Sequence, residues 1–175
     1  CSGGLPVANR WCIKVGGAGG HAGQLSPFAF VQETRAWFDG PLVLSGAIAR
    51  GESILAAEAM GADLAYIGSP FIATEEARAT DAYKQAIVAG GAEDIVYTPA
   101  ISGVNGNFLA PSLQQAGLDP NALPEKLDFG TTDARAWKDV WAAGQGVGSI
   151  DDVLPAAGLV DRLRAEYRAA IDGIR

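Results

Sequence analysis

Short, continuously apolar runs alternate along this chain with longer stretches of helical spacing, and glycine or proline punctuates the joins. Trp11 to Val15 is the first apolar run, and it breaks into the glycine-rich stretch Gly16 to Gly23. Ser26-Pro27 then has the form of a helix start, with serine at the N-cap and proline in the first turn; Phe28, Val31, Arg35 and Phe38 follow at helical spacing. Gly40-Pro41 stops that helix. Pro41-Leu-Val-Leu-Ser45 predicts a parallel strand buried on both faces. Gly46 to Gly51 leads into an alanine-rich helix from Glu52 to Met60, closed by Gly61. Ala62 to Ile67 predicts the next strand, with Gly68-Ser69-Pro70 as its exit. Thr74 predicts a helix cap, because Glu75 and Glu76 follow where negative charge complements the helix dipole, and that helix runs to about Ala89.

Strand and helix in alternation build a parallel sheet, either open and doubly wound or part of a (β/α) barrel. Three such units are legible before residue 92. The pattern then changes. Asp94 to Tyr97 predicts a short extended piece, Ser102 to Pro124 is rich in glycine, asparagine and proline, and helices are expected at Thr132 to Ala142 and Ile150 to Ile171. The whole of 1–175 therefore reads as one domain, with β/α units over 1–91 and a covering loop and helical tail over 92–175.

Composition narrows the function classes. Of 175 residues, 49% are hydrophobic and 19% charged, which is the balance of a chain with a large buried fraction. No apolar run approaches the roughly 20 residues that cross a bilayer, and no basic-then-apolar leader opens the sequence, so no membrane partner and a cytoplasmic address are expected. A net charge of -7 with scattered basic residues argues against nucleic acid, whose phosphates need clustered lysine and arginine. Cys1 and Cys12 stand outside any CxxC pattern, and there is one histidine, so no disulfide framework or metal site is expected. Oligomeric state is left open, a homo-oligomer included.

That single histidine, His21, sits in Val15-Gly-Gly-Ala-Gly-Gly-His21-Ala-Gly23, directly after a strand. Glycines let backbone N–H groups approach a ligand closely. Gly17-x-Gly19-x-x-Ala22 fits a degenerate dinucleotide fingerprint, but the acidic residue that would hold a ribose is misplaced: Asp39 precedes the second strand instead of ending it. The alternative places three strand exits, Gly16 to Gly23, Ser45-Gly46 and Gly68-Ser69, side by side at the carboxyl edge of a parallel sheet, where such folds bind ligands and phosphates. One exit alone could be a tight turn only. Three in series point to a phosphate-bearing cofactor, with His21 poised to move a proton near neutral pH.

Three segments carry a resemblance: Gly19-Gly-His21-Ala-Gly23, then Pro41-Leu-Val-Leu-Ser-Gly-Ala-Ile-Ala49, then Gly61-Ala-Asp-Leu-Ala-Tyr-Ile-Gly-Ser-Pro-Phe-Ile-Ala-Thr-Glu-Glu76. In order and spacing they are similar to the second half of the nitronate monooxygenases, formerly called 2-nitropropane dioxygenases, as are the tail segments Pro99 to Gly117 and Trp141-Ala-Ala-Gly-Gln-Gly-Val-Gly148. The resemblance implies the C-terminal part of an FMN-dependent (β/α)8 barrel: about three β/α units plus a helical extension. Implied substrates are an alkyl nitronate or nitroalkane and O2. His21 would be the catalytic base. Ser45, Gly46, Ala47, Gly68 and Ser69 would hold the FMN phosphate, Gly19 and Gly20 would lie beside the flavin, and Gln145 would close over the site.

Ala47 and Ser69 stand where the family more commonly has glycine and threonine. A whole barrel takes about 250 residues, so the resemblance implies the phosphate-binding half of a longer one. Two further readings follow. Related barrels include flavin-dependent NAD(P)H:quinone and enoyl reductases that share these phosphate motifs. Alternatively, an open sheet edge would make the chain a half-barrel that is inert alone or pairs with another chain.

Overall fold

The structure, a computed structural model, describes residues 4–7, 10–124 and 139–174. Two sheets organise it. In the first, β1 (Gly4–Val7) runs antiparallel to β2 (Arg10–Lys14), and β2, β4 (Leu42–Ser45) and β5 (Leu64–Tyr66) run parallel in the order β1-β2-β4-β5. Helix α1 (Pro27–Arg35) connects β2 to β4, and α2 (Gly51–Met60) connects β4 to β5. The parallel strands add in chain order in one direction. A doubly wound sheet would reverse that order, so the winding is that of a (β/α) barrel segment.

Ser26 caps α1 as expected, its Oγ accepting from Phe28 N at 3.3 Å, and Gly61 closes α2 in the left-handed conformation at φ 111°. The strand faces turned to these helices are packed: Ile13, Val15, Leu42 and Leu44 bury against Val31, Ala57 and Ala62. The opposite face opens toward β5. On β4, the strand predicted to be buried on both faces, Val43 is half-buried and Ser45 buried, while Leu64 and Tyr66 of β5 are 53% and 58% exposed. No described element covers the other side.

At the start of the sheet, Arg35 ties three segments. Its guanidinium donates to Gly61 O (2.7 Å) and Gly40 O (2.7 Å) and meets Asp63 Oδ2 at 2.5 Å. The Leu42 N–H and the Arg35 guanidinium together hold the Asp63 carboxyl below its usual range.

The second half departs from expectation at several points. Thr74 caps no helix. Its hydroxyl donates to Phe71 O, and the residue forms a parallel bridge with Leu154 after the short helix α3 (Ser69–Ile72). Helix α4 (Asp81–Ala89) starts later, with Thr80 as the cap accepting from Tyr83 N. Glu76 caps a different element, accepting from Ala156 N at the start of α6 (Ala156–Ile174). Helix α6 begins after Pro155, beyond the predicted Ile150, because Gln145–Ser149 forms a 3-10 turn and Leu154 is engaged with Thr74.

The extended piece near Asp94 is β6 (Ile95–Thr98). It joins a second, antiparallel sheet in the order β3-β7-β6, with β3 (Gly20–His21) and β7 (Gly106–Leu109). Strand β7 and the helix behind it, α5 (Ala110–Gln115), fall inside the stretch that reads as a covering loop. Of the helix expected at Thr132 to Ala142, residues 132–138 lie outside the described residues, as does Cys1. Ala142 itself is extended and bridges Phe108. Among the described residues no helix is long and apolar enough to cross a membrane.

Candidate cofactor and active site

Strands β2, β4 and β5 each end at the same edge, and their exit loops enclose a cleft of about 220 Å3. Its lining includes Gly19 and Gly20 from the first loop, Ser45, Gly46 and Ala47 from the second, and Gly68 and Ser69 from the third. The structure therefore brings together every predicted cofactor residue except Gln145. That side chain instead borders a separate cavity of about 450 Å3 with Gly16, Gly17, Gln24 and Tyr97. Its backbone still serves the site, because Gln145 N donates to Gly17 O at 2.9 Å.

The glycine loop is held by its carbonyls. Asn107, fully buried on β7, donates from Nδ2 to Gly16 O (2.9 Å) and to Ala18 O (2.6 Å). Two carbonyl acceptors on one side of the amide determine which end is nitrogen, and Oδ1 is left buried without a partner. Between them, Gly17 O accepts from both Gln145 N and Ala47 N. Ala47 reaches that bond in the left-handed region at φ 53°, a conformation that costs a non-glycine residue roughly 1–2 kcal/mol. Its N–H is thus committed to the loop and is no donor for a ligand, although Ala47 lines the cleft.

The glycines separate into two kinds. A Cβ on Gly46, at φ 144°, would meet Val15 Cγ2 at 2.5 Å, and one on Gly19 would meet Gly144 N at 2.9 Å; packing alone explains both. Gly68 is different: its φ is -118°, open to any residue, and a Cβ there would meet nothing within 4 Å. The space beside it belongs to the cleft. Around it, the N–H group of Gly68 meets no acceptor among the described residues. Ser69 Oγ accepts from Gly144 N at 2.9 Å and keeps its proton to donate. Ser45 is only 7% exposed, and its hydroxyl has no described partner.

His21 stands next to this cleft, not inside it. It lines an adjoining pocket of about 350 Å3 with Ile101, Ser102, Phe108, Val140 and Ala142, and Gly20 and Ala142 border both spaces. The site is a polar, glycine-walled cradle opening beside a mostly apolar chamber with an imidazole at its rim.

The family model for nitronate monooxygenase matches residues 12–166. The chain belongs to the nitronate monooxygenase family. It is 30% identical over 182 aligned residues to the nitronate monooxygenase of Paraburkholderia phytofirmans, covering 90% of this chain and 49% of that protein. The chain thus spans about half the length of that curated relative. Among solved structures it is similar to nitroalkane oxidase from Streptomyces ansochromogenes (TM-score 0.76, 27% identity, 96% of this chain and 54% of that one). FabK from Thermotoga maritima shares the fold, with TM-score 0.75 at 24% identity over 96% of this chain and 57% of that one.

Three residues in or beside the cleft escaped sequence reading. Lys14 is the one formally charged residue among the described cleft-lining residues, and it pairs with no described carboxylate. Its signal was available: the residues on either side, Ile13 and Val15, are core, so alternation turns Lys14 to the opposite face, in register with Ser45 and Tyr66. Asn107 was hidden in an apparent loop. Tyr83 stacks on Trp141, ring centroids 5.0 Å apart at 13°, and its hydroxyl donates to Ala142 O.

Burial pushes the Tyr83 phenol up to about 12 from an ordinary value near 10. A folded pKa above the unfolded one stabilises fully below pH 10 and is lost as pH rises through 12. Denaturant titrations between pH 9 and 12 should therefore show the unaltered chain losing about 2 kcal/mol more than Tyr83→Phe. Parallel loss in both would refute the burial effect.

Proposed function

We propose that this chain carries the phosphate cradle and the proton-transfer histidine of an FMN-dependent enzyme that oxidises alkyl nitronates with O2. One observation carries the reading: the space beside Gly68 that no protein atom claims, ringed by unpaired N–H and hydroxyl donors at the carboxyl edge of three parallel strands. Such donors suit a phosphate. FMN bound there would supply the redox chemistry between nitronate and O2.

The chain's own groups supply the rest. Ser45 Oγ, Gly68 N and Ser69 Oγ are the phosphate donors, and Gly46 and Ala47 line the cleft beside them. Gly19 and Gly20 let a planar ring lie close to the backbone, and Lys14 gives the cleft a positive charge suited to anionic ligands. The chamber of Ile101, Phe108, Val140 and Ala142 receives the alkyl portion of the substrate. His21, at its rim, removes or returns a proton at the substrate α-carbon. Membership of the family and the likeness to nitroalkane oxidase support this assignment.

Gly68→Val tests it. A Cβ there meets no protein atom within 4 Å and the valine methyls extend into the cradle, so folding stability should stay within about 0.5 kcal/mol while FMN affinity, read by flavin fluorescence, falls at least about a hundredfold. Unchanged FMN binding would remove the cofactor from this cleft. With FMN bound, the unaltered protein should take up O2 when given an alkyl nitronate. Rapid flavin reduction by NADH or NADPH with no nitronate turnover would replace the reaction with that of a reductase.

A further inference from the structure

His21 Nε2 lies 3.1 Å from Ser102 Oγ, and the same oxygen donates to Val104 O at 2.8 Å. A serine hydroxyl has one proton. Once it is given to Val104, Ser102 presents only lone pairs to the imidazole, so the ring nitrogen that faces it must carry a hydrogen. A neutral imidazole has a single N–H. Nδ1 is then the nitrogen with the free lone pair.

The surroundings hold both partners in place. His21 is paired with Gly106 across β3 and β7, and Ala22 N donates to Asn105 O at 3.2 Å, so the histidine backbone is anchored to the sheet that ends the Ser102 turn. On the other side, Gly103 closes that turn at φ 73° with its N–H on Pro99 O at 2.8 Å, and Ile101 is buried with Phe108 and Leu113. Protonation leaves the arrangement intact, because imidazolium also carries a hydrogen on Nε2. Protons come and go at Nδ1 without any hydroxyl turning over.

We propose that Ser102 is a positioning residue that holds neutral His21 in the Nε2–H form and makes Nδ1 its proton-accepting atom. The tautomer stands on the hydrogen bonds alone; its catalytic consequence rests on His21 being the base. Ser102 lines the chamber beside His21 but not the cofactor cleft, and it acts through the ring.

The test exploits His21 being the only histidine in the chain. A two-bond 1H–15N correlation spectrum of the 15N-labelled full chain, at a pH where imidazole is neutral, reports one ring without ambiguity. The unaltered chain should show the Nε2–H pattern with no detectable Nδ1–H form. Ser102→Ala should lose that single-tautomer spectrum and show the mixture of a freely solvated imidazole, and Ser102→Thr, which keeps the hydroxyl, should restore it. A dominant Nδ1–H form in the unaltered chain overturns the proposal, as does a Ser102→Ala spectrum identical to the original. The first of these readings needs no variant to fold. With FMN and a nitronate, Ser102→Ala should also lower kcat about fivefold, equivalent to about 1 kcal/mol, with KM unchanged. A shifted tautomer with unchanged kcat would keep the tautomer assignment and instead remove His21 from proton transfer.

Discussion

Replacing His21 with asparagine is expected to lower turnover by roughly 10²–10⁴-fold, the usual contribution of a positioned acid or base, while FMN affinity stays within about twofold of the original. The separation follows from geometry. His21 borders the apolar chamber and is exposed, whereas the groups proposed to hold the phosphate lie in the cleft next door. Asparagine is too short to reach Ser102 from the place of Nε2, but His21 is exposed and no core residue is disturbed, so the antiparallel pairing of His21 with Gly106 should survive. Oxygen uptake with an alkyl nitronate measures the first quantity and flavin fluorescence the second. Equal loss of both would reduce His21 to a structural strut; loss of neither would take it out of the reaction.

Gly51→Ala should be among the most damaging single-methyl changes in the chain. Helix α2 begins at Gly51, where α6 crosses it so closely that a Cβ would stand 2.1 Å from Tyr167 N and 2.6 Å from the Glu166 carbonyl carbon. Backbone on both sides cannot yield by a rotamer change. Glu166 fastens the crossing, accepting from Gly51 N at 2.9 Å and pairing with Arg50 at 3.3 Å, and the Tyr167 hydroxyl donates to Glu58 at the far end of α2. A carboxylate at the N-terminus of a helix also complements its dipole.

Separating the two helices loses all of this together. A loss of about 3 kcal/mol or more is therefore expected, at the upper end for overpacked sites. Denaturant unfolding measures it, and a change below about 0.5 kcal/mol would show that the helices do not dock this way. The damage should reach the site, because Ala47 and Ile48, which line the cleft, lead directly into this helix start. FMN affinity should fall with stability in Gly51→Ala, in contrast to Gly68→Val, where affinity alone should fall.

Local signals made much of this fold legible. The apolar runs at Trp11, Pro41 and Ala62, the Ser26-Pro27 helix start and the closing Gly61 all act within a few residues, and each is where expected. Since the strand exits follow from the strands, the three loops and their gathering at one edge were legible too. The same locality explains the failures. Thr74, followed by Glu75 and Glu76, has the local form of a cap, but Leu154, distant in sequence, bridges to it, and Thr80 starts the helix instead. Gly106-Asn-Phe-Leu109 shows no alternation because all four residues are buried, so a wholly internal strand passes for a loop.

The sequence by itself determined which residues are small, which are punctuating, and in what order strands and helices follow, because those properties reside in side-chain size and backbone freedom. It also carried the family. Only the tertiary structure decided what each group has left to offer. Ala47 spends its N–H on Gly17, Gln145 turns its side chain to another cavity, Lys14 brings charge to the cleft, and Asn107 reaches from a distant strand to hold the glycine loop. A hydrogen-bonding group is available to a ligand only when no partner elsewhere in the chain has taken it, and those partners are assigned by contacts between residues far apart in sequence.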